Sequence, residues 1–273
     1  MTELSGLGVR TNPRTGARQL LGVGDQGFEI LVGGPATGWE RRAVEVPAPF
    51  GPHRHGRGRS NWEAVAGDAS GRVFVVPERH HHLLILDKDL QFEMAIPLEN
   101  PPSWRRGPGL ESVLLLQGGH VLAAKQRDPV MLVEYAPPDD PPIGVGPLSV
   151  LGEAEEFDVP RAAGGLRAAA TWKPSDHAMA SINELAVGPG ARVHAVSSVS
   201  RTVAVLSPLD PRQEHAGVEL VVDADDARLY AARGARLEGL VLDPQAGHFV
   251  AVDHHDLGFD ALFRVELDAQ VPG

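Results

Sequence analysis

The sequence predicts an all-β chain, and three observations predict it. The apolar runs are strand-sized: VFVV, LLIL, MLVEY, VAVL and LFRVEL are short and rich in β-branched or aromatic residues. Turn-forming clusters such as GDASGR, DPQAG and GPGAR separate them, in a chain with 31 Gly and 23 Pro. No long stretch repeats apolar residues at helical spacing.

The strands recur in a fixed order. NWEAVAGDASGRVFVVPERHHHLLILD begins at Asn61, LESVLLLQGGHVLAAKQRDPVMLVEY at Leu110, INELAVGPGARVHAVSSVSRTVAVL at Ile182, and LEGLVLDPQAGHFVAVDHHDLGFDALFRVEL at Leu237. Each has a Glu opening an apolar strand, a Gly-containing turn, a second strand, a polar cluster and a third strand. The N-terminal LSGLGVRTNPRTGARQLLGVGDQGFEILVG keeps that order, with Ser5 in place of the Glu. The openings at Ser5, Glu63, Glu111, Glu184 and Glu238 lie about 50 to 70 residues apart, close to the length of a propeller blade. The longest step holds PPDDPPIGVGPLSVLGEAEEFDVPRAAGG, read as an insertion over about residues 137–175. The prediction is a single five-bladed β-propeller domain spanning residues 1–273. A six-bladed arrangement with one degenerate blade in the long step is the alternative.

Several phrases also carry a family likeness. LSGLGV, NWEAVAGD…GRVFVVPER, HVLAAKQRDPVMLVEY, INELAV…VSSVSR and LEGLVLDPQAGHFVAVD resemble the SdiA-regulated family of bacterial β-propellers, in order and over nearly the whole chain. The similarity to esterase-like phytase-type propellers is looser and rests on the EGL-D-G rhythm. The resemblance implies the fold and says little about activity. Relatives commonly begin with an export or anchoring segment; MTELSGLGVR shows no such pattern.

Composition narrows the function classes. A net charge of −11, four Trp and two Tyr argue against a nucleic-acid surface. No Cys is present, which excludes disulfides, thiolate zinc sites and a cysteine nucleophile. No apolar run approaches the roughly 20 residues of a membrane helix, so no membrane partner and a cytoplasmic location are expected.

The candidate site follows from the repeat. A hairpin returns the chain to the end where it began, and in each of the four Glu-opened units the polar cluster follows the opening Glu by about 15 residues. Glu63, Glu111, Glu184 and Glu238 should therefore ring one mouth of the channel. Glu78 to His82, Lys125 with Arg127, Ser198 with Arg201, and Asp253 with His254 should join them. One or two of His80, His81 and His82 should enter, because successive strand residues point to opposite faces. The entering loops HRHGRGRSN, WRRGPG, TWKPSDH and ARGAR are basic, which suggests a rim for a small anionic molecule. Arg79, Arg106, Arg127, Arg201, Arg236 and Asp253 are the candidate ligand-binding residues. Glu63, Glu111, Lys125, Glu184, Glu238, His80 and His254 are the catalytic candidates.

Four converging carboxylates need an offset: two unit charges at 4 Å repel by roughly 4 kcal/mol at an effective dielectric of 20. A cation, a raised pKa or Lys and Arg partners would supply it. Calcium (Ca2+) suits an all-oxygen ring of Glu63, Glu111, Glu184 and Glu238; zinc or another transition metal would suit a site that includes His. GVGDQG from Gly22 matches G-x-G-x-x-G but is followed by another strand, so no dinucleotide site is expected. No G-x-S-x-G, H-E-x-x-H or P-loop occurs. Hydrolysis of a phosphoester or lactone at the mouth is the expected reaction. A propeller that binds a ligand or protein without catalysis is the rival.

Overall fold

The structure, a computed structural model, describes residues 4–24, 26–34, 38–51, 60–78, 80–101, 109–160, 164–174, 179–200, 202–223, 237–243, 248–253 and 261–265. The described strands form five antiparallel meanders. The first contains β1 (Gly6–Thr11), β2 (Arg18–Val23), β3 (Glu29–Gly34) and β4 (Gly38–Ala43); the second β5 (Trp62–Gly67), β6 (Val73–Pro77), β7 (His82–Leu86) and β8 (Phe92–Glu99). The third contains β9 (Leu110–Leu115), β10 (Val121–Lys125), β11 (Met131–Ala136) and β12 (Leu166–Pro174). The fourth contains β13 (Glu184–Val187), β14 (Val193–Ser197) and β15 (Thr202–Leu206), then, past the two-residue β16 (His215–Ala216), β17 (Val218–Asp223). The fifth contains β18 (Leu237–Asp243), β19 (His248–Asp253) and β20 (Ala261–Val265).

The first strands close a ring: β1 touches β5, β5 touches β9, β9 touches β13, β13 touches β18, and β18 returns to β1. This is the radial plan of a β-propeller. Segment 137–165 joins β11 to β12, and β12 pairs antiparallel with β11 as the outer strand of its meander. On its other side β12 pairs in parallel with β8, Leu166 opposite Leu98 and Arg167 opposite Glu99, so the second and third meanders share one sheet.

The cores lie between neighbouring meanders. Trp62, Ile30, Val73 and Leu84 pack between the first and second; Phe74, Ile85, Leu110 and Tyr135 between the second and third; Leu122, Trp172, Ile182 and Leu185 between the third and fourth. Side chains alternate across each strand, so both faces of the middle strands are apolar. Phe157 and Val150 bring segment 137–165 into two of these cores. The segment is pinned at two further points. Glu134 accepts the backbone N–H of Ile143 and Gly144 and faces His120 Nδ1 at 2.7 Å. Asp68 accepts the Phe157 N–H at 3.1 Å. Among the described residues no helix is long and apolar enough to cross a membrane.

Candidate functional site

Backbone contacts place the strand openings at one level of the channel. β1 lies so close to β5 that a Cβ on Gly6 would come within 2.3 Å of the Glu63 carbonyl oxygen, and one on Gly8 within 2.2 Å of that of Val65. Only glycine permits this approach. A Cβ on Gly239 would meet Leu7. The Leu7 N–H donates to Glu184 Oε2 at 3.2 Å, and the Leu185 N–H donates to Ser112 Oγ at 2.8 Å. Leu7, Glu63, Ser112, Glu184 and Gly239 thus occupy the same stratum although they come from five different strands.

The polar clusters adjoin the openings. Trp62 pairs with Pro77, Leu110 with Lys125, Glu184 with Val196 and Leu237 with Asp253. Side chains bridge the same junctions. Asn61 Nδ2 donates to Glu78 at 3.1 Å, Gln126 Nε2 donates to Glu111 at 3.4 Å, and Asn183 Oδ1 accepts from the Ser198 N–H and Oγ, each at 2.9 Å.

Glu184 is the most enclosed of the four glutamates, 2 % exposed. Its Oε1 accepts from the Ser112 hydroxyl and the Leu185 N–H, and its Oε2 from the Leu7 N–H. Burial nevertheless holds its pKa well above the usual carboxylate range; the three hydrogen bonds oppose that shift, and the nearby Glu238 carboxylate adds to it. Glu238 is half-buried and takes a 2.6 Å hydrogen bond from Asn183 Nδ2. Glu111 is buried and lies within the field of Lys125. Glu63 is half-buried at the start of β5.

Lys125 is fully buried at the end of β10, and its ammonium donates to the carbonyls of Arg127 and Asp128. Burial lowers its pKa, with Asp128 and Glu111 opposing and Arg127 assisting. Its first task is to hold the β10–β11 turn closed. Arg127 is exposed in that turn. The three histidines divide. His80 and His82 pack against the ring of Phe50, with centroids 5.6 and 4.8 Å away. His81 adopts a left-handed backbone, φ 46°, and its pKa is lowered by burial first, then by His82, His80 and Lys125, against Glu78. Asp253 ends β19. Arg79, Arg106, Arg201, Arg236 and His254 lie outside the described residues, as do most of the basic entering loops.

The carboxylate crowding is eased in place: burial favours the neutral form of Glu184, and amides of Asn183 and Gln126 serve Glu238 and Glu111. Among the described residues no three His, Asp or Glu side chains form a group that could hold a metal ion. The Glu184 oxygens already face protein donors, so these carboxylates as arranged do not fit a calcium cage.

Ser198, expected at the mouth, is held there by Asn183; Asn183 and Ser112 complete it, and sequence reasoning missed those two. Asn183 had a signal: it precedes its strand opening much as Asn61 precedes Glu63, and both reach the following cluster. Ser112 had none, because its bond to Glu184 spans two meanders.

Beyond this stratum the channel turns apolar. Leu7, Val113, Leu185 and Leu240 face a cavity of about 490 Å3, and segment 147–155 of the β11–β12 connection lies over it. Arg18 pairs with Glu153 at 3.0 Å, and Gln117 donates to Glu155 at 2.7 Å, at its rim.

No family model and no curated protein sequence matches the chain. Solved structures do. Glutaminyl cyclase of Myxococcus xanthus is 18% identical, with 97% of this chain and 90% of that one covered and a TM-score of 0.53. A protein provisionally assigned as a gluconolactonase is 10% identical, with 97% and 76% covered and a TM-score of 0.51. At these identities the likeness is one of architecture, and it agrees with the closed ring of meanders: the chain folds as a β-propeller.

Proposed function

We propose that this propeller acts on a small anionic molecule at its glutamate mouth, and that the reaction is hydrolysis of a lactone or phosphoester. The observation that carries the reading is the single stratum in which five strand openings converge, with a buried Glu184 near Glu238. Burial raises the Glu184 pKa, and its neutral form would lower the negative charge that an anionic substrate meets. It also leaves Glu238 and Glu63, both half-buried, as the carboxylates able to take a proton from an attacking water. The basic entering loops would supply the anion contacts. The hydrolytic reading is in keeping with the gluconolactonase assignment of one structural neighbour, and the repeats resemble SdiA-regulated propellers, whose activity is open. No step is routed through a metal. Calcium at the ring would require Glu184 to give up its protein donors, and calcium and chelator effects on Tm test that separate proposal.

The test is a panel of lactones and aryl phosphates assayed with wild type, Glu238→Gln and Glu63→Gln. Loss of the general base should lower kcat by about 10² to 10⁴-fold in one of the two variants. Equal turnover in all three would overturn the assignment of the base. Binding of panel compounds without turnover would instead support a non-catalytic ligand-binding propeller, a reading favoured by how fully Glu184 and Lys125 are engaged by protein partners.

A further inference from the structure

Away from the mouth, a cleft of about 240 Å3 opens between the first and second meanders, lined by Arg10, Arg14, Arg42 and Lys88 with Glu40 and Asp89. The turn after β1 and the turn between β7 and β8 build it. Both lie at the end of the molecule opposite the strand openings, because β1 starts at the mouth and runs away from it. Arg10 is the unusual member. It is only 9 % exposed, yet its guanidinium bonds are all to neutral acceptors: Gln19 Oε1 at 3.0 Å, the Gly71 carbonyl at 3.0 Å and the Lys88 carbonyl at 3.1 Å. Among the described residues no carboxylate lies within ion-pair distance of it, whereas arginines this enclosed are ordinarily paired. Burial lowers its pKa, Arg42 lowers it further, and only Asp89 pulls the other way. The two carboxylates present are turned to other cations: Glu40 pairs with Arg42 at 2.9 Å and Asp89 with Lys88 at 2.6 Å.

We propose that this cleft is a second binding site, for a tetrahedral oxyanion, either phosphate or the phosphoryl group of a small monoester. A buried guanidinium with no carboxylate partner, at the base of a cleft whose other cations sit at the rim, keeps its Nη2 hydrogens for a phosphoryl oxygen, because the three bonds above occupy Nε and Nη1. An anion seated there would offset the Arg10–Arg42 repulsion that Asp89 opposes only in part. The site is independent of the proposed hydrolysis, since no residue is shared.

The experiment titrates inorganic phosphate and glycerol 3-phosphate into the full chain at constant ionic strength, with chloride as control, by calorimetry and by Tm. Phosphate should bind and raise Tm where chloride does not, and binding should weaken with added salt. Comparing the two ligands shows which source of the phosphoryl group is preferred. Arg10→Gln risks the fold because Arg10 also ties two backbone carbonyls, so the decisive variant is Arg14→Gln with Arg42→Gln, both on the exposed rim. It should weaken phosphate by about tenfold or more, the weight of one charge-assisted hydrogen bond. Wild-type affinity in that double variant, or no phosphate effect beyond chloride, overturns the proposal. Glu63→Gln serves as the control for the mouth: phosphate binding lost there but kept in the double variant places the anion at the glutamates and also overturns it.

Discussion

The two ends of the channel are built from the same five strands and differ in almost everything else. At the openings Glu111, Glu184 and Glu238 meet amides, a hydroxyl and backbone N–H groups. One or two residues along, Leu7, Val113, Leu185 and Leu240 face an apolar cavity roofed by segment 147–155. The contrast teaches that polarity in this channel is set by depth along the strand, not by which meander a residue belongs to. It also accounts for the raised pKa of Glu184: where the polar stratum gives way to the apolar one, lost hydration outweighs three hydrogen-bond donors.

Three measurements would break or sharpen that contrast. The largest effect is expected from Leu185→Ala, which removes a side chain 2 % exposed between the third and fourth meanders. It should cost about 2–5 kcal/mol in denaturant unfolding. A loss under about 1 kcal/mol would show the apolar half to be loosely packed. Next is Glu184→Gln. Because the folded pKa is raised, the folded chain retains a proton that the unfolded chain releases above about pH 4.5, its ordinary value. Wild-type stability should therefore fall as pH rises from there towards the folded pKa, by at most about 1.4 kcal/mol per pH unit from this one group. The variant should lack that slope. Parallel wild-type and variant curves of Tm against pH would mean that Glu184 is not shifted. The smallest effect belongs to Arg18→Ala at the roof. Its pair with Glu153 is partly solvated, with Glu153 52% exposed. The loss should be about 0.2–1 kcal/mol and should shrink in salt.

Much of the architecture was legible because each meander repeats short apolar strands around Gly-rich turns. The openings expected at Glu63, Glu111, Glu184 and Glu238 lie within one residue of the starts of β5, β9, β13 and β18. β12 was hidden for two reasons. Its sequence, LRAAATWKP, is alanine-rich where strands usually favour β-branched residues, and it follows a connection long enough to read as an insertion. At the mouth, the glutamates were legible by their spacing. Their partners were not, because Ser112–Glu184 and Asn183–Glu238 join different meanders. The cleft around Arg10 was equally silent: its cations come from β1, β4 and two separate turns, and only folding places them together.

The parallel pairing of β8 with β12 has a further consequence. A sheet's outermost strand ordinarily displays a row of unpaired amide and carbonyl groups that an incoming chain can join. In the second and third meanders those rows are partly closed against each other, and β16 covers part of the remainder along β12. β4, which among the described residues pairs only with β3, carries Glu40, Arg41 and Arg42 along its exposed length. Charged side chains there oppose stacking of one molecule on the next, so stitching on one flank and ionic guarding on another serve the same end: keeping a protein made almost wholly of strands from polymerising through its margins.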